Sequence, residues 1–202
     1  TTRIKDAFMH MAVNGMNVDN MQTKFCVVYI NGEYNGLYEF KENQNEDYLA
    51  SKYGIDPDKV VAVRGNKYNV ETGNSDRDIV NLYNFVKRDM NNKENFEEYT
   101  KLADSDYFMD YMIAQTFFYC SDSYNQKFAH TTDNALKWRP LYYDFDLSFS
   151  STSGNWFGFF QHDQYIRGLT ESGLDLRITD TSLYNAFMRN TEWRLKFLKR
   201  YA

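Results

Sequence analysis

With 202 residues, the chain is long enough for one domain with a substantial core or for two small lobes sharing a cleft, and the lack of any Gly/Ser-rich linker or repeat favours a single domain over 1–202. Aromatic residues make up 18% of it, with 17 Tyr and 16 Phe, which excludes a disordered tail. The net charge of −5 argues against a nucleic-acid partner, whose phosphates demand a basic face. No apolar run is long enough to span a membrane. No signal peptide is present either, so a secreted origin requires one that was removed or lies outside this sequence. Cys26 and Cys120 fit no metal spacing. They read as two buried thiols, with a single disulfide as the alternative, which leaves the redox compartment open.

The first predicted element is a helix over 3–13, where Ile4, Ala7, Phe8, Met11 and Ala12 recur at helical spacing and Asn14-Gly15 supplies the stop. It opens so near the first residue that the sequence reads as an excerpt beginning inside a larger domain. Phe25 to Ile30 and Tyr34 to Phe40 read as strands around Asn31-Gly32, the strongest short-range hairpin signal. Asn45 to Tyr53 reads as a short helix ended by Gly54, Lys59 to Val63 as a strand, and 64–74 as a loop.

Residues 76–90 place Ile79, Val80, Leu82, Tyr83, Phe85 and Val86 at amphipathic helical spacing, and Asn95 to Leu102 forms a second helix. Asp104 or Ser105 caps a third. From Tyr107 to Tyr119 that helix is apolar on nearly every face, the pattern of a helix surrounded by other elements. Lys127 to Thr131, the turn Asp133-Asn134 and Lys137 to Tyr143 make a second hairpin. Ser148 to Gly158 reads as a mobile loop before the aromatic cluster Trp156, Phe157, Phe159 and Phe160. Two closing helices, 181–189 and 191–201, carry an apolar stripe of Leu183, Phe187, Trp193, Phe197 and Leu198.

The chemistry concentrates between Leu141 and Phe149, read together with Ser121 to Asn125 upstream. Aromatic residues lead into Asp144, so a buried strand ending in acids is expected, and alternation then puts Asp144 and Asp146 on one face. Two half-buried carboxylates repel each other and lose hydration, at a cost of several kcal/mol, unless a cation, a proton or strong donors compensate. A divalent metal answers that need, and Mg²⁺ is typically held by one or two carboxylates with waters and substrate phosphates. The alternative is that the pair caps the following turn or binds Arg or Lys. His10, His130 and His162 show no metal spacing and read as surface or satisfied core residues.

These residues belong to a longer ordered pattern. Val28-Tyr29-Ile30-Asn31-Gly32-Glu33-Tyr34-Asn35-Gly36-Leu37-Tyr38 is followed by Glu42, then by Asp47-Tyr48-Leu49 through Tyr53-Gly54. Asp122 comes after an aromatic helix, Asn125 lies shortly downstream, and Asp144-Phe145-Asp146 follows. With the closing Phe187 to Arg194, the set resembles the CotH spore-coat kinases and their relatives in bacterial surface and cellulosome-associated proteins, over essentially the whole chain. The resemblance implies an α+β, atypical protein-kinase-like fold. It further implies transfer of the γ-phosphoryl group of ATP, with Mg²⁺ or Mn²⁺, to Ser or Thr of coat or secreted surface proteins, at an extracellular or spore-surface location.

On that resemblance Asp122 is the base that accepts the substrate hydroxyl proton, and Asp144 holds the metal as the Asp of a kinase Asp-Phe-Gly segment does. Asp146 stands where that segment has Gly, and its role is open between second metal ligand and loop cap. Asn125 is the further metal ligand, although it follows Asp122 by three positions where the ordinary kinase loop places its Asn five on. Glu42 is assigned to the nucleotide site and Lys41 to solvent, because adjacent strand residues point to opposite faces. Arg64 and Lys67 are candidates for phosphate contact. Each residue also has a plainer role: Asp122 and Asn125 can shape turns, and Arg64 can be a solvated loop charge.

The family's Gly/Ser-rich basic segment, expected to cover the phosphates, lies upstream of the first helix and has no equivalent in these residues. Either it falls outside the sequence or part of the nucleotide site is missing from the protein. The rival reading is therefore a catalytically inactive kinase-like structural or protein-binding module of a surface or cellulosome assembly, with Asn155 to Phe160 as its contact patch. A metal-dependent hydrolase is a third option, weakened by the lack of a His or third carboxylate near the acids.

Overall fold

The computed structural model describes residues 4–64, 69–73, 77–120, 126–149, 169–170, 173–174 and 182–202. Helix α1 (Lys5–Ala12) turns inward a face that its apolar spacing does not mark. Ile4, Phe8 and Met11 are exposed, whereas Asp6, Ala7, Met9 and His10 are buried. Remote segments supply partners for part of this polar pair: His10 Nδ1 accepts a hydrogen bond from the Met21 amide at 3.0 Å, and Asp6 accepts from the Phe145 amide at 2.7 Å.

Strands β1 (Thr23–Ile30) and β2 (Glu33–Lys41) form the expected hairpin. Asn31 and Gly32 have φ of 52° and 85°, the left-handed pair of a type I′ turn, whose twist matches that of the flanking strands. Among the described residues this pair of strands joins no other sheet. Its side chains are correspondingly open to solvent, with Phe25, Val27, Tyr29, Tyr34 and Phe40 all exposed.

Helix α2 (Glu46–Tyr53) begins where the Asn45 side chain accepts the Tyr48 amide and ends at Gly54 in the left-handed conformation. A short 3₁₀ turn, Pro57–Lys59, leads into β3 (Val60–Arg64), whose first four residues are all buried. The stretch expected to be a loop over 64–74 instead contains β4 (Asn69–Thr72), antiparallel to β3. Its composition, Asn-Val-Glu-Thr, carries one aliphatic residue, so hydrophobic periodicity had nothing to register.

Helices α3 (Arg77–Phe85), α4 (Lys93–Leu102) and α5 (Ser105–Phe118) follow, the last two capped by the side chains of Asn92 and Asp104. Strand β5 (Lys127–Thr131) pairs with β3 and with β6 (Arg139–Pro140). The expected second hairpin is thus real but short, since Pro140 cannot donate to a ladder. It closes with the Leu141 amide donating to the Lys127 carbonyl at 2.7 Å. A small pair, β7 (Leu169–Thr170) and β8 (Gly173–Leu174), precedes α6 (Ser182–Arg189) and α7 (Thr191–Tyr201).

The central sheet, in the order β4-β3-β5-β6, is covered on both faces. Val61, Val63 and Phe128 pack towards α5 and α6, with Phe108 and Phe187 ring centroids 5.1 Å apart in that layer. Val60, Ala62 and Ala129 pack on the other face against Leu49 of α2 and against Leu136 and Leu141. Helix α5 is buried nearly all round, as its sequence indicates. Leu198, assigned above to the apolar stripe of the last helix, is exposed. Neither cysteine is in a disulfide among the described residues, Cys120 being buried and Cys26 half-buried. No helix among the described residues is long and apolar enough to cross a membrane.

Candidate functional site

The ends of several strands meet at one place. β2 finishes at Lys41, β3 at Arg64, and β5 starts at Lys127, which is in register with Arg64. Together with Glu42, Gln44, Tyr143 and Asp144 these residues line a cleft of about 290 Å³. Three cationic side chains, Lys41, Arg64 and Lys127, therefore face a cavity that also holds the Asp144 carboxylate.

The acids do not sit on a strand. Residues 141–145 form no ladder and 146–149 are a turn, and Asp144 has φ of 62°, which breaks the alternation on which a shared face depends. The expectation that Asp144 and Asp146 project together from an extended segment is corrected on that ground. Asp144 lines the cleft; Asp146 is half-buried in the turn and outside the cleft lining. Buried neighbours hold this segment in place. Tyr142 and Phe145 stack with centroids 3.9 Å apart, and Gln44 Nε2 donates to the Tyr142 carbonyl at 3.2 Å.

Lys41 is the second correction. The pleat argument placed Lys41 and Glu42 on opposite sides, but β2 ends at Lys41 and Glu42 lies beyond it, so both line the cleft, with Lys41 still exposed to solvent as expected. Lys41 Nζ donates to Asp6 Oδ2 at 2.8 Å. Burial alone pulls its pKa down, but the hydrogen bond and charge of Asp6, with the charges of Glu39 and Asp144, outweigh that and hold it above the usual lysine value. Glu42 is held differently, its Oε2 accepting the Gln22 amide at 2.8 Å.

Glu71 of β4, outside the cleft lining, divides its two oxygens between two of the lining cations. Oε1 lies 3.3 Å from Arg64 Nη1 and Oε2 lies 2.5 Å from Lys127 Nζ. Lys127 also donates to the Gln44 carbonyl at 2.8 Å. Arg64 sits over the Tyr143 ring, 5.3 Å from its centroid. Burial pushes the Tyr143 hydroxyl up to about 12, with Arg64 opposing, so it stays a neutral donor at physiological pH.

Of the residues singled out from the sequence, Glu42, Arg64 and Asp144 come together in this cleft. Asp122 and Asn125 lie outside the described residues, as do Lys67, His162 and the patch Asn155 to Phe160. His10 and His130 are core residues, the latter stacked on Trp138 at 3.9 Å. Sequence reasoning missed Asp6, Glu71 and Lys127. The signals available were slight: a carboxylate and an imidazole four apart on the inward side of α1, and a lysine opening the strand Lys-Phe-Ala-His-Thr.

The described residues thus form an α+β protein with a charged cleft where its strands end. The chain belongs to the CotH kinase protein family, whose model matches residues 1–200, and this membership carries a kinase-like function. No curated protein matches the chain.

Proposed function

We propose that the chain is an atypical protein kinase that transfers the γ-phosphoryl group of ATP to Ser or Thr of a coat or secreted surface protein, at an extracellular or spore-surface location. The observation that carries the reading is the cleft itself, where Asp144 faces Lys41, Arg64 and Lys127. Phosphoryl transfer asks a protein chiefly for positioning and for compensation of phosphate charge. Arg64 and Lys127 are already partly neutralised by Glu71, so they offer triphosphate a site without presenting an uncompensated basic patch.

The donor set suits Mg²⁺ or Mn²⁺. Such an ion takes one or two carboxylates and completes its shell with phosphates and water. Asp144 is the ligand proposed to face the nucleotide, with Asn125 as a further ligand and Asp146 as either a ligand or the cap of its turn. When bound, the metal neutralises charge on the β- and γ-phosphates. Glu42 and Arg64 belong to the nucleotide site, and Lys41 and Lys127 join Arg64 on the phosphates. Asp122 accepts the proton of the substrate hydroxyl as its oxygen bonds to the γ-phosphorus. The bond from that phosphorus to the β–γ bridging oxygen breaks, and ADP leaves with the electron pair.

Transfer from labelled ATP to the chain itself and to a Ser-rich acceptor tests this, with Mg²⁺ or Mn²⁺. Asp144→Ala is expected to lower transfer by more than about a hundredfold, and Lys127→Met to raise the KM for ATP by about tenfold. If the chain and an N-terminally extended form both fail to bind ATP or transfer phosphate, the kinase reading falls. The protein-binding module then replaces it.

A further inference from the structure

Helix α1 reaches across the fold to the turn that carries Asp144. Asp6 is only 7% exposed, and its two oxygens are used on two different targets. Oδ1 accepts the Phe145 amide at 2.7 Å, and Oδ2 accepts Lys41 Nζ at 2.8 Å. The neighbouring Lys5 donates its Nζ to the Ser148 carbonyl at 2.8 Å. One turn of α1 therefore grips both ends of the segment from Phe145 to Ser148.

The grip matters because Asp144 is in the left-handed region, with φ of 62°. A residue with a Cβ pays for that conformation, by about 1 kcal/mol or somewhat less for Asp, and keeps it only where the surroundings impose it. The peptide that follows is held from two sides, by Asp6 on the Phe145 amide and by Cys120 Sγ 3.7 Å from the Asp144 carbonyl. Phe145 itself is buried and stacked on Tyr142. With the peptide fixed, the Asp144 side chain is left on the cleft side, near the lysine that Asp6 also holds.

We propose that Asp6 is a positioning residue of the cleft, fixing the Asp144–Phe145 peptide in the turn that presents the Asp144 carboxylate and drawing Lys41 to the same point. The consequence for phosphate transfer rests on the kinase reading above; the clamp itself does not. Asp6→Asn separates the two bonds, because the amide oxygen still accepts from the Phe145 N–H while the amide nitrogen cannot accept from Lys41.

The test uses the full chain and its Asp6→Ala and Asp6→Asn variants. The first readout is amide hydrogen exchange in metal-free protein. Phe145 is expected to be protected in the parent chain, to exchange about ten- to a hundredfold faster in Asp6→Ala, and to change less than about threefold in Asp6→Asn, with the amides of α5 unaltered. The second readout is Mn²⁺ affinity in the presence of ATP, measured by electron paramagnetic resonance. It is expected to weaken about tenfold in Asp6→Ala and little in Asp6→Asn. Equal Phe145 exchange in the parent chain and Asp6→Ala overturns the clamp, as does Asp6→Asn matching Asp6→Ala in exchange. Should Asp6→Ala not fold, a parent Phe145 amide that exchanges like an exposed one still overturns it. Protection with the expected variant pattern but no Mn²⁺·ATP binding leaves the clamp standing and removes the kinase reading.

Discussion

The two walls of the cleft rest on very different supports. Arg64 and Lys127 project from a sheet packed on both faces, in which Val63 and Phe128 have no solvent exposure. Lys41 and Glu42 come at the end of a two-stranded hairpin whose Val27 is 52% exposed and Phe40 73% exposed. Both regions use the same strand-forming residues, yet in one the register is held by a core and in the other by an Asn-Gly turn. A two-stranded hairpin alone is marginal in water, so the ties at its base, Lys41 to Asp6 and Glu42 to Gln22, do work that packing does for the sheet.

The largest effect that sharpens this contrast lies in the sheet. Phe128→Ala removes a ring in contact with Phe108 and Tyr184 and is expected to destabilise by about 3–5 kcal/mol. Urea unfolding measures it, with the midpoint falling and the slope unchanged. A loss below about 1 kcal/mol would mean that β5 is not the packed centre of the protein.

A second, smaller effect acts at the joint between α1 and the hairpin. His10 is buried, and burial, against the opposing charge of Asp6, lowers its pKa from 6.5 to about 4. Its Nδ1 accepts the Met21 amide, and a protonated ring cannot. Because the folded-state pKa is the depressed one, the stability this histidine contributes is present above about pH 6.5 and is lost as pH falls towards 4. The loss approaches about 3 kcal/mol at full protonation. His10→Asn, whose Oδ1 stands near the Nδ1 position, is expected to flatten the stability profile between those limits. A profile as steep as that of the parent chain would show that another group titrates there; His130, whose pKa burial also lowers, is the first to examine.

How much of this was legible follows from where each signal resides. Turn chemistry is local, so Asn31-Gly32, the helix stop at Gly54 and the cap at Asp104 could be read one residue at a time. Helix α5 announced its burial by lacking a polar face. The site was legible only in part, because Glu42, Arg64 and Asp144 reach the cleft through contacts that no local pattern encodes. Asp6 meets Phe145 across 139 positions, and nothing near either residue marks the other. The pleat rule separated Lys41 from Glu42 and paired Asp144 with Asp146, and failed for the same reason: alternation holds within a strand, and Glu42, Asp144 and Asp146 lie beyond where a strand stops. On α1 Ile4, Phe8 and Met11 pointed out, and a carboxylate and an imidazole pointed in beside Ala7 and Met9. Hydrophobic spacing identified the helix but not its buried face, since the partners of Asp6 and of His10 Nδ1 lie far along the chain.

The smallest expected effect is the most direct comparison of the two walls, because the substitution is the same in both. Val63→Thr places a hydroxyl in the buried centre of β3, at 0% exposure, and is expected to cost about 1–3 kcal/mol for want of a partner. Val27→Thr makes the same change in β1, opposite Leu37, where water reaches the side chain and a β-branched residue is retained. It is expected to alter stability by less than about 0.5 kcal/mol. Thermal or urea unfolding of the two variants decides the matter. A cost at Val27 equal to that at Val63 would show that the hairpin face is covered in solution, and the contrast between a packed wall and an open one would no longer hold.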